Sequence, residues 1–127
     1  MIEIIFLGTG TSQGVPIIGS NHPVCKSSNP KDKRLRVSIA LKWDNFFFVV
    51  DCGPDFRQQM LNCNTKKLDG ILYTHEHADH TAGLDDIRPF YFKQGKIDLI
   101  LTKRVFDFLN KRFDYIINDN DKYPGAP

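Results

Sequence analysis

The sequence predicts a mixed α+β domain in which short apolar strands alternate with short helices. The chain has 127 residues, of which 41% are hydrophobic and 25% are charged. This length supports one domain with a real core and is too short for two ordinary domains. Several apolar runs are bounded by turn residues, as strands are. A later segment instead places its apolar residues at helical spacing.

Five apolar segments are predicted to be strands: residues 2–7, 37–41, 46–50, 68–73 and 97–101. The second and third are joined by Asp44 and Asn45, a pair typical of a hairpin turn. The first strand ends at a glycine-rich turn, residues 8–14, which is followed by an irregular stretch over residues 15–36. A loop this long in a compact domain is usually functional or disordered.

Three segments are predicted to be helices. The first, residues 56–61, follows the strand break at residues 51–55, and the second covers residues 83–90. The third carries four apolar residues on one face: Val105, Phe108, Leu109 and Phe113. Residues 118–127 are rich in asparagine, aspartate and proline and are predicted to be a loop.

The charge and cysteine content exclude several classes of protein. A net charge of +2 gives no whole-chain electrostatic reason to bind a membrane, and it disfavours nucleic acid as a partner. The first apolar run has no basic region before it and is too short for a signal peptide or a membrane span. Three widely spaced cysteines argue against a secreted disulfide framework. We therefore expect a reduced, cytoplasmic location.

The strongest functional signal is a histidine cluster directly after the strand at residues 68–73. It contains His75, His77, Asp79 and His80. Neutral imidazole and carboxylate are ligands that suit divalent ions such as zinc and manganese. On a loop beyond a strand end, the first two histidines can point to one side while Asp79 and His80 turn to a second locus. One short segment is therefore predicted to supply two adjacent metal sites.

Two divalent ions at such a site would hold a bridging water and lower its pKa to near neutrality, so that hydroxide is available at pH 7. The same ions would neutralise charge that builds on a phosphoryl or carbonyl oxygen. Asp51 follows the predicted strand at residues 46–50, and we expect it to lie at the same edge of the sheet as the histidine cluster. Two interpretations of it remain open: it orients a ligating histidine, or it caps the helix that follows.

The histidine motif resembles the hallmark of the metallo-β-lactamase superfamily, whose members place H-x-H-x-D-H after a strand of an αββα sandwich. Three further segments, residues 6–16, 51–56 and 83–90, resemble the PhnP-like phosphodiesterase branch. The first of them also resembles the tRNA 3′-processing endonucleases. Those enzymes do not usually carry the continuation at residues 83–90, so the PhnP-like branch is favoured.

The resemblance implies roles for individual residues. His75 and His77 would bind the first metal ion, and Asp79 and His80 the second, with Asp79 and Asp51 as the catalytic carboxylates. The family also uses a third histidine, a bridging aspartate and a further histidine, which lie well downstream. We therefore expect residues 1–127 to correspond to the N-terminal half of such a domain, with no second domain and with an incomplete metal site.

Two weaker signals lie in the irregular stretch. Residues 19–25 resemble a segment in which PhnP-like proteins bind a structural zinc ion through three cysteines. Here serine and histidine stand at the first two positions, which leaves His22 and Cys25 as ligands of a degraded site. A basic run follows, formed by Lys31, Lys33, Arg34 and Arg36. It either attracts a phosphate-bearing substrate or is a solvated loop.

The resemblance implies a metal-dependent phosphodiesterase that acts on a small phosphodiester, cyclic ones included, as part of the full-length protein. The alternatives are a tRNA 3′-processing-type endonuclease and a catalytically incompetent half-domain. Hydrolysis of a thioester or a lactam is less favoured because of the glycine loop and the Asp85-Asp86 continuation. No membrane is expected among the partners, and the resemblance allows a homodimer.

Overall fold

A five-stranded mixed sheet forms the centre of the protein, with its strands side by side in chain order. The computed structural model describes residues 1–118. The strands are β1 (Glu3–Gly8), β2 (Ser38–Trp43), β3 (Phe46–Val50), β4 (Gly70–Leu72) and β5 (Asp98–Ile100). β1, β2 and β3 pair antiparallel, whereas β3, β4 and β5 pair parallel. The carboxyl ends of β1, β3, β4 and β5 therefore lie along one edge of the sheet.

The helices fill the connections between these strands. They are α1 (Pro23–Lys26), α2 (Phe56–Cys63), α3 (Ala78–Thr81), α4 (Arg88–Gln94), α5 (Lys103–Arg112) and α6 (Asp114–Ile117). Two 3₁₀ turns, Pro30–Asp32 and Leu84–Ile87, complete the described elements. α2 carries the chain from β3 to β4, and α3 and α4 carry it from β4 to β5. Parallel neighbours require such crossovers because the end of one strand and the start of the next lie at opposite edges of the sheet.

One face of the sheet is covered by helices and forms the core. Ala40, Val49 and Ile71 on the three central strands are fully buried. They belong to one apolar cluster with Phe56 of α2 and Leu109 of α5, which are also fully buried. Burying a valine, isoleucine, leucine or phenylalanine side chain stabilises a fold by about 1.5–3 kcal/mol. This face therefore fixes which helices lie against the sheet.

The opposite face of the sheet is also apolar but remains open. Ile4 and Phe6 of β1 are 57% and 73% exposed, and Ile100 of β5 is 50% exposed. Between them, Trp43 and Phe48 stack with their ring centroids 5.2 Å apart. A sheet that is apolar on both faces is typical of folds in which each face is covered. This pattern fits the sheet of an αββα sandwich.

The strands agree with the sequence prediction, but two helices differ from it. The single helix predicted over residues 83–90 was wrong: a 3₁₀ turn ends at Ile87, and α4 begins at Arg88. Pro89 explains the boundary, because proline fits the first turn of a helix, where an N–H has no partner. On α5, Phe108 is 38% exposed, so the predicted apolar face is only partly buried. The predicted terminal loop lies almost entirely outside the described residues.

The structure also bears on two other sequence features, membrane spans and cysteines. Within residues 1–118, no helix is long and apolar enough to cross a membrane. The three cysteines are free thiols, and Cys52 is buried while Cys25 and Cys63 are partly exposed. Burial raises the pKa of the Cys52 thiol well above its usual range, which fits a structural thiol rather than a nucleophile.

Candidate metal centre

The histidine motif lies at the edge of the sheet where the parallel strands end. Asp51 follows β3, Thr74 and His75 follow β4 after Tyr73, and Thr102 follows β5. In sheets with parallel strands, loops at the carboxyl ends meet and commonly form binding sites. The topology therefore brings together residues that are more than twenty positions apart in the chain.

The motif begins in extended conformation and ends in a short helix. His77 is the N-cap residue of α3, so Asp79 and His80 lie on a helical turn rather than on a loop. The ring centroid of His75 is 4.6 Å from that of His77 and 4.0 Å from that of His80. His80 Nε2 is 3.2 Å from Asp79 Oδ2. The four predicted ligands thus form one cluster.

The described residues of the cluster do not form a complete metal site. Among the residues that the structure describes, no group of three or more histidine, cysteine, aspartate or glutamate side chains is arranged to hold one metal ion. The ring of His75 lies nearer to that of His80 than to that of His77, so the predicted pairing of His75 with His77 and of Asp79 with His80 stays a prediction. Further ligands would have to come from outside the described residues, so the two-metal site stays a prediction.

Asp51 lies beneath the cluster and is only 5% exposed. Its Oδ1 accepts the Thr74 backbone N–H at 2.8 Å, and its Oδ2 accepts the Thr74 hydroxyl at 2.7 Å. The same Oδ2 is 2.7 Å from His80 Nδ1. A buried carboxylate needs such partners because leaving it unpaired is costly. Asp51 is not the cap of α2, since that position belongs to Asp55.

The backbone of Asp51 is unusual. Its φ is 65°, in the left-handed region that non-glycine residues adopt rarely and at a cost of about 1–3 kcal/mol. Such a cost persists only where the surroundings require it, and it is common at functional sites. Here the conformation lets the chain leave β3 while the carboxylate stays against Thr74 and His80.

Thr74 is a site residue that the sequence interpretation missed. Its hydroxyl contacts Asp51 and also lies 2.9 Å from His75 Nδ1. A threonine between a buried strand and the first histidine of the motif was the available signal, because a hydroxyl can donate one hydrogen bond and accept others. Residue type alone did not reveal this role, because threonine is also common in strands.

The donor set fits a divalent metal ion. Because His80 Nδ1 contacts Asp51, its Nε2 is the atom that faces the carboxylate of Asp79. In the neutral imidazole with its proton on Nδ1, two electron-pair donors then face each other. A shared cation, whether a proton or a divalent ion, resolves this arrangement. Imidazole nitrogen and carboxylate oxygen are suitable ligands for zinc and manganese.

Backbone contacts hold α3 against the turn that carries Asp51. The N–H of Cys52 donates to the carbonyl of His80 at 2.8 Å, and the N–H of Gly83 donates to the carbonyl of Cys52 at 2.9 Å. Gly53 allows the close approach, because a Cβ there would collide with the carbonyl oxygen of Asp79. The distance from Asp51 to His80 is therefore set by main-chain packing as well as by side chains.

A cleft of about 340 Å³ lies beside the histidines. Its lining residues are Thr74, His75, Glu76, His77, Thr102, Arg104 and Val105. Arg104 reaches over it from the first turn of α5 and forms an ion pair with Glu76. The backbone N–H of Glu76 and the Arg104 guanidinium lower the pKa of the Glu76 carboxyl. The Arg104 side chain is nevertheless 81% exposed.

His22 and Cys25, the predicted ligands of a degraded zinc site, both take part in local hydrogen bonds. His22 Nδ1 accepts the N–H of Val24 at 3.3 Å and so caps α1. The thiol sulfur of Cys25 accepts the N–H of Ile17 at 3.4 Å. Hydrogen bonds from the Ser20 side chain and from that N–H lower the pKa of the Cys25 thiol. Metal binding by His22 and Cys25 stays a prediction.

Half of the basic run has a structural role. Arg34 donates to the carbonyl of Thr9 at 3.1 Å, and Arg36 donates to that of Ser12 at 2.8 Å. Arg36 also pairs with Asp55 at 2.9 Å. These two arginines hold the glycine loop in place, although Arg34 is exposed, as Lys31 and Lys33 are.

Comparison with known proteins identifies the family. Residues 47–126 match the family model of the Beta-lactamase superfamily domain. The chain belongs to the metallo-β-lactamase superfamily. A crystal structure of a new diphosphatase from the PhnP family superposes with a TM-score of 0.83 and 43% identity, over 92% of this chain and 48% of that one. The predicted fold and the PhnP-like branch are therefore confirmed.

A more distant structure has the same fold. Zn²⁺-bound PqqB from Methylobacterium extorquens superposes with a TM-score of 0.78 at 21% identity, over 94% of this chain and 44% of that one. This chain thus spans slightly less than half of each of these two structures. The prediction that it is the N-terminal half of a domain stays a prediction.

Two curated relatives carry different names. An octanoyltransferase of Porphyromonas gingivalis is 41% identical over 99% of this chain but only 25% of its own length. A ribonuclease Z of Methanococcus maripaludis is 31% identical over 75% of this chain and 26% of its own length. This chain spans about a quarter of each relative, and three quarters of the octanoyltransferase lie outside the match.

Proposed function

We propose that this chain belongs to a metal-dependent hydrolase that cleaves a small phosphodiester. The observation that carries the proposal is the cluster of His75, His77, Asp79 and His80 at the carboxyl edge of the sheet, with buried Asp51 beneath it. Imidazole and carboxylate at this spacing suit zinc or manganese.

The residues of the cluster have separate tasks in this proposal. His75, His77, Asp79 and His80 bind the ions, which when bound supply Lewis acidity and an activated water at neutral pH. Asp79, whose Oδ2 lies 3.2 Å from His80 Nε2 in this cluster, is also the catalytic carboxylate in this proposal and would accept the proton that the attacking water gives up. Asp51 orients His80 through the 2.7 Å contact to Nδ1.

Arg104 supports a phosphoryl substrate rather than a lactam or a thioester. Its guanidinium lies at the rim of the cleft beside His75 and His77. Nε and Nη2 both contact one oxygen of Glu76, so further N–H groups remain for a second anion. Guanidinium groups bind phosphate well because their donors match its oxygens. The diphosphatase from the PhnP family, at 43% identity, supports the same substrate class.

A second candidate is cleavage of an RNA 3′ extension. The 31% identity to ribonuclease Z over 75% of this chain favours it. A net charge of +2 and the use of Arg34 and Arg36 in contacts to the glycine loop argue against a basic surface that docks RNA. The small phosphodiester is therefore the leading candidate.

The test uses the natural full-length polypeptide that carries residues 1–127. Release of p-nitrophenol from bis(p-nitrophenyl) phosphate is measured with added Zn²⁺ or Mn²⁺ and after chelation. A diphosphate diester, a tRNA with a 3′ extension and a chromogenic lactam are tested in parallel. We expect turnover of the phosphodiester that chelation and His75→Ala abolish. Absence of turnover with both metals, or turnover of the lactam alone, would refute the proposal.

A matched pair of variants tests the role of Arg104. Arg104→Gln should raise KM for the phosphodiester roughly tenfold, the size of one charge-assisted hydrogen bond. Lys103→Gln removes the same charge one residue away, where the side chain is 85% exposed and pairs with Asp107. It should change KM less than about twofold, since exposed pairs contribute little. Equal effects of the two variants would mean that only overall charge matters.

A further inference from the structure

Asp51 and Thr74 form a short chain of hydrogen bonds that ends on two of the candidate ligand histidines, His75 and His80. Asp51 Oδ2 contacts His80 Nδ1 directly, and it contacts His75 Nδ1 through the hydroxyl of Thr74. The distances along the chain are 2.7, 2.7 and 2.9 Å. All three are within the normal range of hydrogen bonds.

The direction of each hydrogen bond follows from what the groups can do. A carboxylate only accepts, so the Thr74 hydroxyl must donate its single proton to Asp51. The oxygen of that hydroxyl then offers only lone pairs to His75. His75 Nδ1 must therefore carry the proton of its ring, which leaves the lone pair on Nε2.

The same argument applies on the other side of Asp51. His80 Nδ1 donates to the carboxylate, and the lone pair of its Nε2 faces Asp79. We infer that Thr74 is a positioning residue that extends the action of Asp51 to His75, so that one buried carboxylate fixes the tautomers of His75 and His80. The inference rests on the proposed metal centre but not on its substrate.

Two hydrogen bonds between Thr74 and Asp51 hold this series of hydrogen bonds in place. The backbone N–H and the hydroxyl of Thr74 bind the two different oxygens of Asp51. Asp51 is itself fixed by its N–H, which donates to the carbonyl of Leu72 at 2.8 Å. The threonine is otherwise exposed, so replacing its hydroxyl does not open the core. Within the described residues, His77 stands outside the chain of hydrogen bonds and serves as an internal reference.

The tautomers can be measured without any metal. Long-range ¹H–¹⁵N NMR spectra of the imidazole rings are recorded on the 127-residue chain in the presence of a chelator. A pH of about 8.5 is suitable, because ordinary histidine is neutral there. Four proteins are compared with the parent chain: Thr74→Val, Thr74→Ser, Asp51→Asn and, as a control, Thr11→Val. Thr11 is an exposed threonine whose hydroxyl contacts a backbone N–H in the glycine loop.

We expect His75 and His80 to carry the proton on Nδ1 in the parent chain. Thr74→Val should shift the tautomer ratio of His75 by about 2- to 10-fold towards Nε2–H, the effect of one net hydrogen bond, and should leave His80 unchanged. Thr74→Ser should restore the parent ratio, and Thr11→Val should have no effect. Asp51→Asn, which tolerates the left-handed backbone, should alter both rings.

Three outcomes would overturn the inference: a parent His75 with its proton on Nε2, an unchanged His75 in Thr74→Val, or an unchanged His75 in Asp51→Asn. The control for folding is the dispersion of the backbone amide spectrum, and Thr74→Ser supplies a conservative variant. Because the measurement contains no substrate, failure of the hydrolase proposal would leave this result intact. A failed tautomer test would likewise not decide the outcome of the hydrolase assay.

Discussion

Replacing Gly53 with alanine should separate the turn that carries Asp51 from α3. The backbone of Gly53 is outside the positive-φ region, so alanine meets no conformational penalty there. Its Cβ, however, would lie 3.1 Å from the carbonyl carbon of Asp79 and closer still to the oxygen of that carbonyl. Both atoms belong to backbone, which cannot rotate away as a side chain can. The two segments must therefore move apart.

The size of the effect follows from the contacts that this movement breaks. A separation of roughly 1 Å would lengthen the bonds of Cys52 to His80 and of Gly83 to Cys52, now 2.8 and 2.9 Å, beyond the range of useful hydrogen bonds. Each contributes about 0.5–1.5 kcal/mol net. Disturbed packing adds about 1–3 kcal/mol, and the stiffer unfolded chain offsets up to about 1 kcal/mol. We expect Gly53→Ala to lower the free energy of unfolding by about 1–6 kcal/mol.

Urea unfolding measures the stability, and hydrogen exchange at the amides of Cys52 and Gly83 reports the separation. Gly95→Ala is the control. Gly95 has a φ of 88° and open space around it, so alanine costs stability there without a collision. It should leave both reporter amides protected. Unchanged protection of these amides in Gly53→Ala, with a stability within about 0.5 kcal/mol of the parent chain, would refute the reasoning.

Two further predictions test the fold. Ile5→Thr, on the helix-covered face of β1, should cost about 1–3 kcal/mol, whereas Phe6→Thr, 73% exposed on the open face, should cost less than about 0.5 kcal/mol. Equal losses in urea unfolding would contradict the assignment of faces. Arg36→Met should cost about 1–2 kcal/mol, because Asp55 Oδ1 and the carbonyl of Ser12 lose their side-chain donor. The exposed neighbour Lys33→Met is its control, and a loss no larger than that of the control would contradict a structural role.

The sequence predicted elements better than it predicted how they meet. Apolar runs and turn residues are local signals, and they located all five strands to within a few residues. The boundary between the 3₁₀ turn at Leu84–Ile87 and α4 was missed because α4 begins directly after the turn, with no loop between them. The exposure of Phe108 was missed because burial depends on which elements pack against the helix. Helical spacing alone does not contain that information.

In the candidate site, too, the sequence revealed the residues that lie close together in the chain but not the contacts between distant ones. The three histidines lie within six consecutive residues, so the motif revealed them directly. Asp51 was left with two interpretations because its partner Thr74 is 23 positions away in the sequence. The choice between them required the pairing of β3 with β4, which brings the two strand ends together. Thr74 itself was overlooked because its role follows from hydrogen-bond direction rather than from residue type.

The open apolar face of the sheet has a consequence for biosynthesis. Every strand that contributes to it lies between Glu3 and Ile100, so the face can form as soon as β5 has left the ribosome. Nascent chains emerge at about 5–20 residues per second, and exposed apolar surface during that time favours aggregation. Ile4, Phe6 and Ile100 would be presented together to chaperones or to other nascent chains. Aggregation through this face would therefore lower the yield of folded protein.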